Sequence, residues 1–211
     1  MKGILLKDLY VKKKLLMYYV GTIVMMFFLD FFMGAEVGAG VAFGILLIPL
    51  LTTLEFYYDD EQVNWDSFGN CLPISRKIVV TAKYLLSLGS IIASAIFSVV
   101  SGLIYLLIGG KGTVEEIFVS ALTLLGAVLI LVSIAHPIIQ KAGVERARLY
   151  IVGLYMVVIF FGYHVVKNGF ITEMQLVQLL SIGQKLLIPV GILVSIISWF
   201  ISYTIYEQKE F

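Results

Sequence analysis

Cysteine occurs once in this chain and histidine twice. With Cys71 alone, no intrachain disulfide can form and a cysteine cage for a metal is excluded. It reads as a reduced thiol in a loop. His136 and His164 close different apolar runs and fall on opposite sides of a hydrocarbon layer about 30 Å thick, so they cannot share a metal. Charge is scarce as well. Charged residues make up 14% of the 211 positions, where a soluble domain carries about 25%. Hydrophobic residues reach 60% and mean hydropathy is +1.00, so a soluble domain is excluded. The formal charge of +1 gives no indication of nucleic acid.

Catalytic signatures are missing too. A phosphate-cradling loop needs G-x-x-x-x-G-K-[ST], but in "YLLIGGKGT" Tyr105 stands for the first glycine and Gly112 follows Lys111. This stretch reads as a turn. Glu115, Glu116 and "FFGYHVVKN" approach the motifs of membrane-embedded proteases, but Ser120 replaces the arginine and His164 would have to serve twice. Glu115 and Glu116 instead suit the positive end of a helix dipole. No charge falls at the middle of an apolar run, and the two halves show no repeat. Both absences count against an ion-coupled carrier.

What is present is a series of apolar runs, each near the roughly 20 residues that a crossing requires. Six spans are expected, at about 15–33, 37–56, 79–108, 115–138, 149–166 and 184–206. The runs do not alternate, which favours helices over a barrel. The first run lacks a small-x-small cleavage pattern and reads as a retained span. Lys2, Lys7, Lys12, Lys13, Lys14, Arg76, Lys77, Lys83, Lys141, Arg146, Arg148 and Lys209 fall on one side, against Lys111, Lys167 and Lys185 on the other. That asymmetry places both termini in the cytoplasm. The expected fold is therefore an all-α integral membrane domain over 1–211, with six spans and both ends inside. Residues 1–14 form a weakly amphipathic surface segment in which Leu5, Leu6, Leu9 and Tyr10 share an arc.

The longest polar stretch, "EFYYDDEQVNWDSFGNCLPISRK", joins spans two and three on the cytosolic side. Asp59 or Asp60 can cap a short helix from about Glu61 to Asn70, with Trp65 and Phe68 three apart on one face. Pro73 stops it, and Ser75 can cap the next helix. Two roles are open for this helix over loop 57–77: an interfacial helix at headgroup level, or an anchor for a cytosolic partner.

Residues 56–88 resemble the segment after the second span in six-span permeases of type-2 ABC exporters. They carry Trp65-Asp66, Leu72-Pro73-Ile74-Ser75-Arg76-Lys77 and Lys83-Tyr84. The opening "MKGILLKDLYVKKKLL" is similar to that family too. Among such permeases, the chain resembles the membrane subunits of phenol-soluble modulin and antimicrobial peptide exporters. The resemblance implies a non-catalytic subunit of a bacterial cell membrane that works as a homodimer or beside a similar permease. It would have no cofactor of its own, with ATP and magnesium held by a cytosolic ATPase. The short helix would then be a coupling helix, with Asp60, Glu61, Trp65, Asp66, Phe68 and Arg76 meeting the ATPase. Amphipathic peptides are the implied cargo; drugs or lipids fit the same residues, and a self-contained solute carrier is the rival.

Two small-residue stripes remain. Gly34, Gly38 and Ala42, with Gly40 and Gly44, let span two approach a neighbour closely. Ser87, Ser90, Ser94, Ser98 and Ser101 form a polar ribbon on span three. It either packs helices or lines a translocation path. Phe27, Phe28, Phe31 and Phe32 could gate such a path or face lipid. His136, just before Pro137, reads as an interfacial side chain at the end of span four.

Overall fold

The computed structural model describes residues 2–11, 39–71, 73–108, 113–153 and 173–209, with positions 17, 20, 21, 24 and 28. All regular structure among them is helical. In chain order the helices are α1 (Lys2–Val11), α2 (Ala39–Gln62), α3 (Trp65–Asn70), α4 (Arg76–Leu107), α5 (Val114–Ala142), α6 (residues 144–153) and α7 (Glu173–Glu207). Among the described residues, α4, α5 and the 186–207 part of α7 are long and apolar enough to cross a bilayer. Most of the expected first and fifth spans, Gly34 and Gly38 of the stripe on span two, Phe27, Phe31, Phe32 and His164 lie outside the described residues.

The largest interface joins α5 to α7. The two run parallel, because Gly126 meets Leu187, Leu129 meets Gly191 and Ser133 meets Ser195 and Ser198 in ascending order. A Cβ on Gly126 would stand 2.7 Å from the Leu187 Cβ. Lipid supplies no hydrophobic drive between helices, so close fit and hydroxyl bonds hold this seam. One core then gathers Leu50 and Leu54 of α2, Ile91 of α4, Val128, Val132 and Ile139 of α5, and Val144, Ala147 and Ile151 of α6. A second gathers Ile4 of α1, Val79, Val80 and Tyr84 of α4, and Tyr206 of α7.

Helix ends follow local chemistry where a cap is present. Thr113 accepts from the Glu116 N–H at 3.2 Å, and Glu116 accepts from the Thr113 N–H at 3.1 Å. This reciprocal box opens α5. Pro137 does not close that helix, which continues to Ala142. A proline cannot donate to the carbonyl four residues back. Here the Ser133 carbonyl accepts from the Ser198 hydroxyl of α7 instead, so the helix continues through the proline. His136 is therefore not a side chain at a helix end. It is 1% exposed, stacks on Tyr84 with centroids 4.0 Å apart, and lies 2.8 Å from the Tyr57 hydroxyl.

A second correction concerns the polar stretch. Asp59 and Asp60 do not cap a new helix; α2 runs through them to Gln62. The break comes at Asn64, in left-handed backbone with φ 48° and ψ 42°, which asparagine tolerates better than most residues. The short helix is thus Trp65–Asn70 rather than Glu61–Asn70. Ser75 stands at the head of α4 in extended backbone, although its side chain makes no capping bond.

Candidate functional site

Four ionisable side chains close a ring at one end of the bundle. Lys7 meets Asp60 at 2.7 Å and Asp8 at 2.9 Å. Lys83 meets the other oxygens of the same carboxylates, at 2.5 Å and 3.2 Å. Each carboxylate therefore gives one oxygen to each lysine, and the ring is neutral. Lys83 is 3% exposed and also donates to the Phe56 carbonyl at 2.6 Å, so all three ammonium protons are used. Burying ions costs several kcal/mol each unless they are paired this completely. Burial alone would lower the Lys7 pKa; hydrogen bonding and charge from Asp60 and Asp8 outweigh it and raise the value above the ordinary lysine range.

The ring fastens α1 to α2 and α4, and the Lys7 ammonium reaches α3 as well, 3.9 Å from the Trp65 ring centroid. A cation over tryptophan contributes roughly 0.5–1 kcal/mol at exposed sites. The next residue of α3 is tied to α7. Asp66 accepts from the Tyr206 hydroxyl at 3.1 Å and from Lys209 at 3.4 Å. Arg76, at the head of α4, donates to the Glu207 and Lys209 carbonyls. It satisfies carbonyls left open where α7 ends, with a charge of the favourable sign.

Of the six side chains expected to meet an ATPase, all lie at this end, but four are engaged within the chain. Asp60 belongs to the ring, Asp66 and Arg76 hold α7, and Glu61 accepts from the Val144 N–H at 3.1 and 3.2 Å. Phe68 is exposed and Trp65 half-buried, with their centroids 5.5 Å apart. Beside them an apolar groove of about 220 Å³ is lined by Lys7, Phe56, Asp59, Val63 and Trp65. Beneath lies a cavity of about 30 Å³ lined by Tyr57, Asp60, Lys83 and Gln140. Gln140 donates to the Tyr57 hydroxyl at 3.3 Å, and the same hydroxyl is hydrogen-bonded to His136 Nδ1 at 2.8 Å.

The serine ribbon turns into the bundle: Ser87, Ser94, Ser98 and Ser101 are buried and Ser90 is half-buried. Ser90, Ser94 and Ser101 donate to carbonyls three residues back in α4, and Ser87 meets Thr53 of α2 at 3.0 Å. Among the described residues, no group of histidine, cysteine and carboxylate side chains could hold a metal.

The model of one protein family, ABC-2 family transporter protein, matches residues 3–207. The chain belongs to the ABC-2 transporter family. No curated protein and no solved structure matches it. Proteins of the ABC-2 family are membrane components of ABC transporters, generally non-catalytic, and typically paired with an ATPase. This chain is accordingly a membrane-embedded permease component with apolar helices.

Sequence reasoning missed the partners of these side chains within the chain. Asp8 is a lone carboxylate among the lysines of the N-terminal segment, and Lys83 is a lone charge inside an apolar run. Each was a visible anomaly that called for a partner. The Asp66–Lys209 and Glu61–Val144 contacts, by contrast, join residues 143 and 83 positions apart with no local mark.

Proposed function

We propose that this ABC-2 permease forms the translocation path of an ATP-driven exporter as a dimer, with six spans per copy and both termini in the cytoplasm. A separate cytosolic ATPase would dock on α3. The observation carrying the reading is a short helix that leaves Phe68 exposed and Trp65 half-buried, while Lys7 of α1 holds Trp65 and the end of α7 holds Asp66. Exposed aromatic anchors on a braced support suit a partner that must push as well as bind. Asp60, Asp66 and Arg76 then hold the platform, and Phe68, Trp65 and the adjoining groove make the contact. ATP-driven closure of two ATPases would press both platforms, and α4 would part from its neighbours to uncover the serine ribbon. Ser90, Ser94 and Ser101 already spend their protons within the helix, so such a wall makes few demands on a passing amphipathic peptide. The peptide cargo rests on the sequence resemblance alone.

The test is gentle extraction of the chain from its native membrane, followed by measurement of ATP hydrolysis and identification of the companion subunit. A stoichiometric ATPase that is lost when Trp65 and Phe68 become alanine is expected. A homo-oligomer without ATPase activity would favour the carrier reading. Hydrolysis that rises on adding an amphipathic helical peptide, and not a detergent-like drug, would support the cargo.

A further inference from the structure

We infer that Glu61 is a positioning residue which splices the turn between α5 and α6 onto the arm that carries α3, so that α6 moves with that arm. The inference rests on the docking reading above for its function, and on the following geometry for its substance.

The chain passes from α5 to α6 through a single residue. Gly143 donates to the Ile139 carbonyl, ending α5, and accepts from the Ala147 N–H, beginning α6. It is therefore the N-cap of α6, with φ +80°. Most N-caps supply a side-chain oxygen to the free N–H groups of the first turn. Glycine has none. The oxygen comes from α2, where both carboxylate oxygens of Glu61 accept from the Val144 N–H. A Cβ at position 143 would lie 2.7 Å from Glu61 Oε1, so the corner is shaped around that carboxylate.

Glu61 does not act alone on α6. Glu55 pairs with Arg148 at 3.2 Å, and the Arg148 guanidinium lies 5.2 Å from the Tyr58 ring centroid. Positions 55, 58 and 61 step by three along one face of α2. Their partners, 144 and 148, step by four along α6. Beneath them Val144, Ala147 and Ile151 pack with Leu50 and Leu54. The last turns of α2, which lead directly into α3 through Val63 and Asn64, thus grip α6 along two turns. The opposite face of α2 holds Lys83 through Phe56 and Asp60. A push on α3 would therefore reach α4 by one face of α2 and α6 by the other.

Two variants cut the splice from opposite sides. Glu61→Ala removes the acceptor. Val144→Pro removes the donor at the first helical position, where proline is tolerated, and leaves the carboxylate in place. The permease–ATPase complex is followed by hydrogen exchange, without nucleotide and then trapped with ATP and vanadate. In Glu61→Ala, exchange at Val144 should accelerate about tenfold, as expected for a lost helix cap, while Glu61→Gln should retain most of the protection. Trapping should alter exchange across residues 144–153 in the native complex and fail to do so in Glu61→Ala and in Val144→Pro. The double variant should do no more than either single, because both break the same contact. Glu61→Ala, Glu61→Gln, Val144→Pro and the double variant should all keep the ATPase, which should be lost when Trp65 and Phe68 become alanine.

Loss of the ATPase by Glu61→Ala and Glu61→Gln would make Glu61 a partner contact and overturn the splice. Unchanged Val144 exchange in Glu61→Ala would do the same. Should Glu61→Ala fail to assemble, Val144→Pro and Glu61→Gln decide between the outcomes. A native chain with no ATPase would overturn the docking reading, and Val144 exchange would still settle whether the splice exists.

Discussion

The two joints of this molecule are built from opposite materials. At the seam between α5 and α7, Gly126 and Gly191 let backbones approach, and Ser133, Ser195 and Ser198 bond across; no charge takes part in these contacts. At the base, α1, α2, α3, α4, α6 and α7 are joined by ion pairs, a cation over an aromatic ring, and caps supplied across the chain. The seam depends on fit, which is all-or-none at ångström scale. The base depends on directional contacts between long side chains, each of which can break and re-form separately. A transporter needs both: a pair of helices that stays together, and an end that yields to a partner.

The comparison breaks most severely at the charge ring. Lys83→Met leaves two buried carboxylate oxygens facing no cation and should cost about 3–5 kcal/mol, read as loss of monodisperse protein on extraction. Gly126→Ala attacks the seam: the added methyl must displace Leu187 and nearby backbone, an overpacking cost of about 1–3 kcal/mol. Unfolding in a denaturing detergent would show it. A ring variant less damaging than the seam variant would reverse the contrast.

Ser198→Ala sharpens the seam further. The Ser133 carbonyl then has neither a proline N–H nor a hydroxyl to accept from, and the expected cost is about 0.6–1.7 kcal/mol. Lys209→Ala removes an exposed pair with Asp66 and should cost at most about 1 kcal/mol. The smallest effect is that of pH. Because Lys7 is held above the ordinary lysine value of 10.5, its contribution is fully present below that pH and is lost as pH rises through the higher folded value. Stability should therefore show no Lys7-linked change between pH 7 and about 9, and Lys7→Met should lower stability across that range while removing the alkaline loss.

Which parts were legible follows from range. Apolar runs announce helices because each satisfies its own backbone, and the bounds expected for the third span, 79–108, differ little from α4. Trp65 and Phe68 announced a short helix for the same local reason. Asp60 misled because an aspartate before a helical stretch looks identical whether it will cap or pair; only Lys7 and Lys83, 53 and 23 residues away, decide. Pro137 misled likewise, since the hydroxyl that relieves the Ser133 carbonyl arrives from α7. His136 went with it.

The chain contains two tryptophans, and they report on different things. Trp199 donates to the Thr81 hydroxyl at 3.2 Å and stacks on Tyr203. Trp65 lies under the Lys7 ammonium, half open to solvent. A Trp199→Phe chain would carry a single tryptophan, on the surface proposed for docking. Its emission would shift to the blue as a partner covers the ring and change again if α1 lifts away, so the engagement of this permease could be followed optically without attaching a dye.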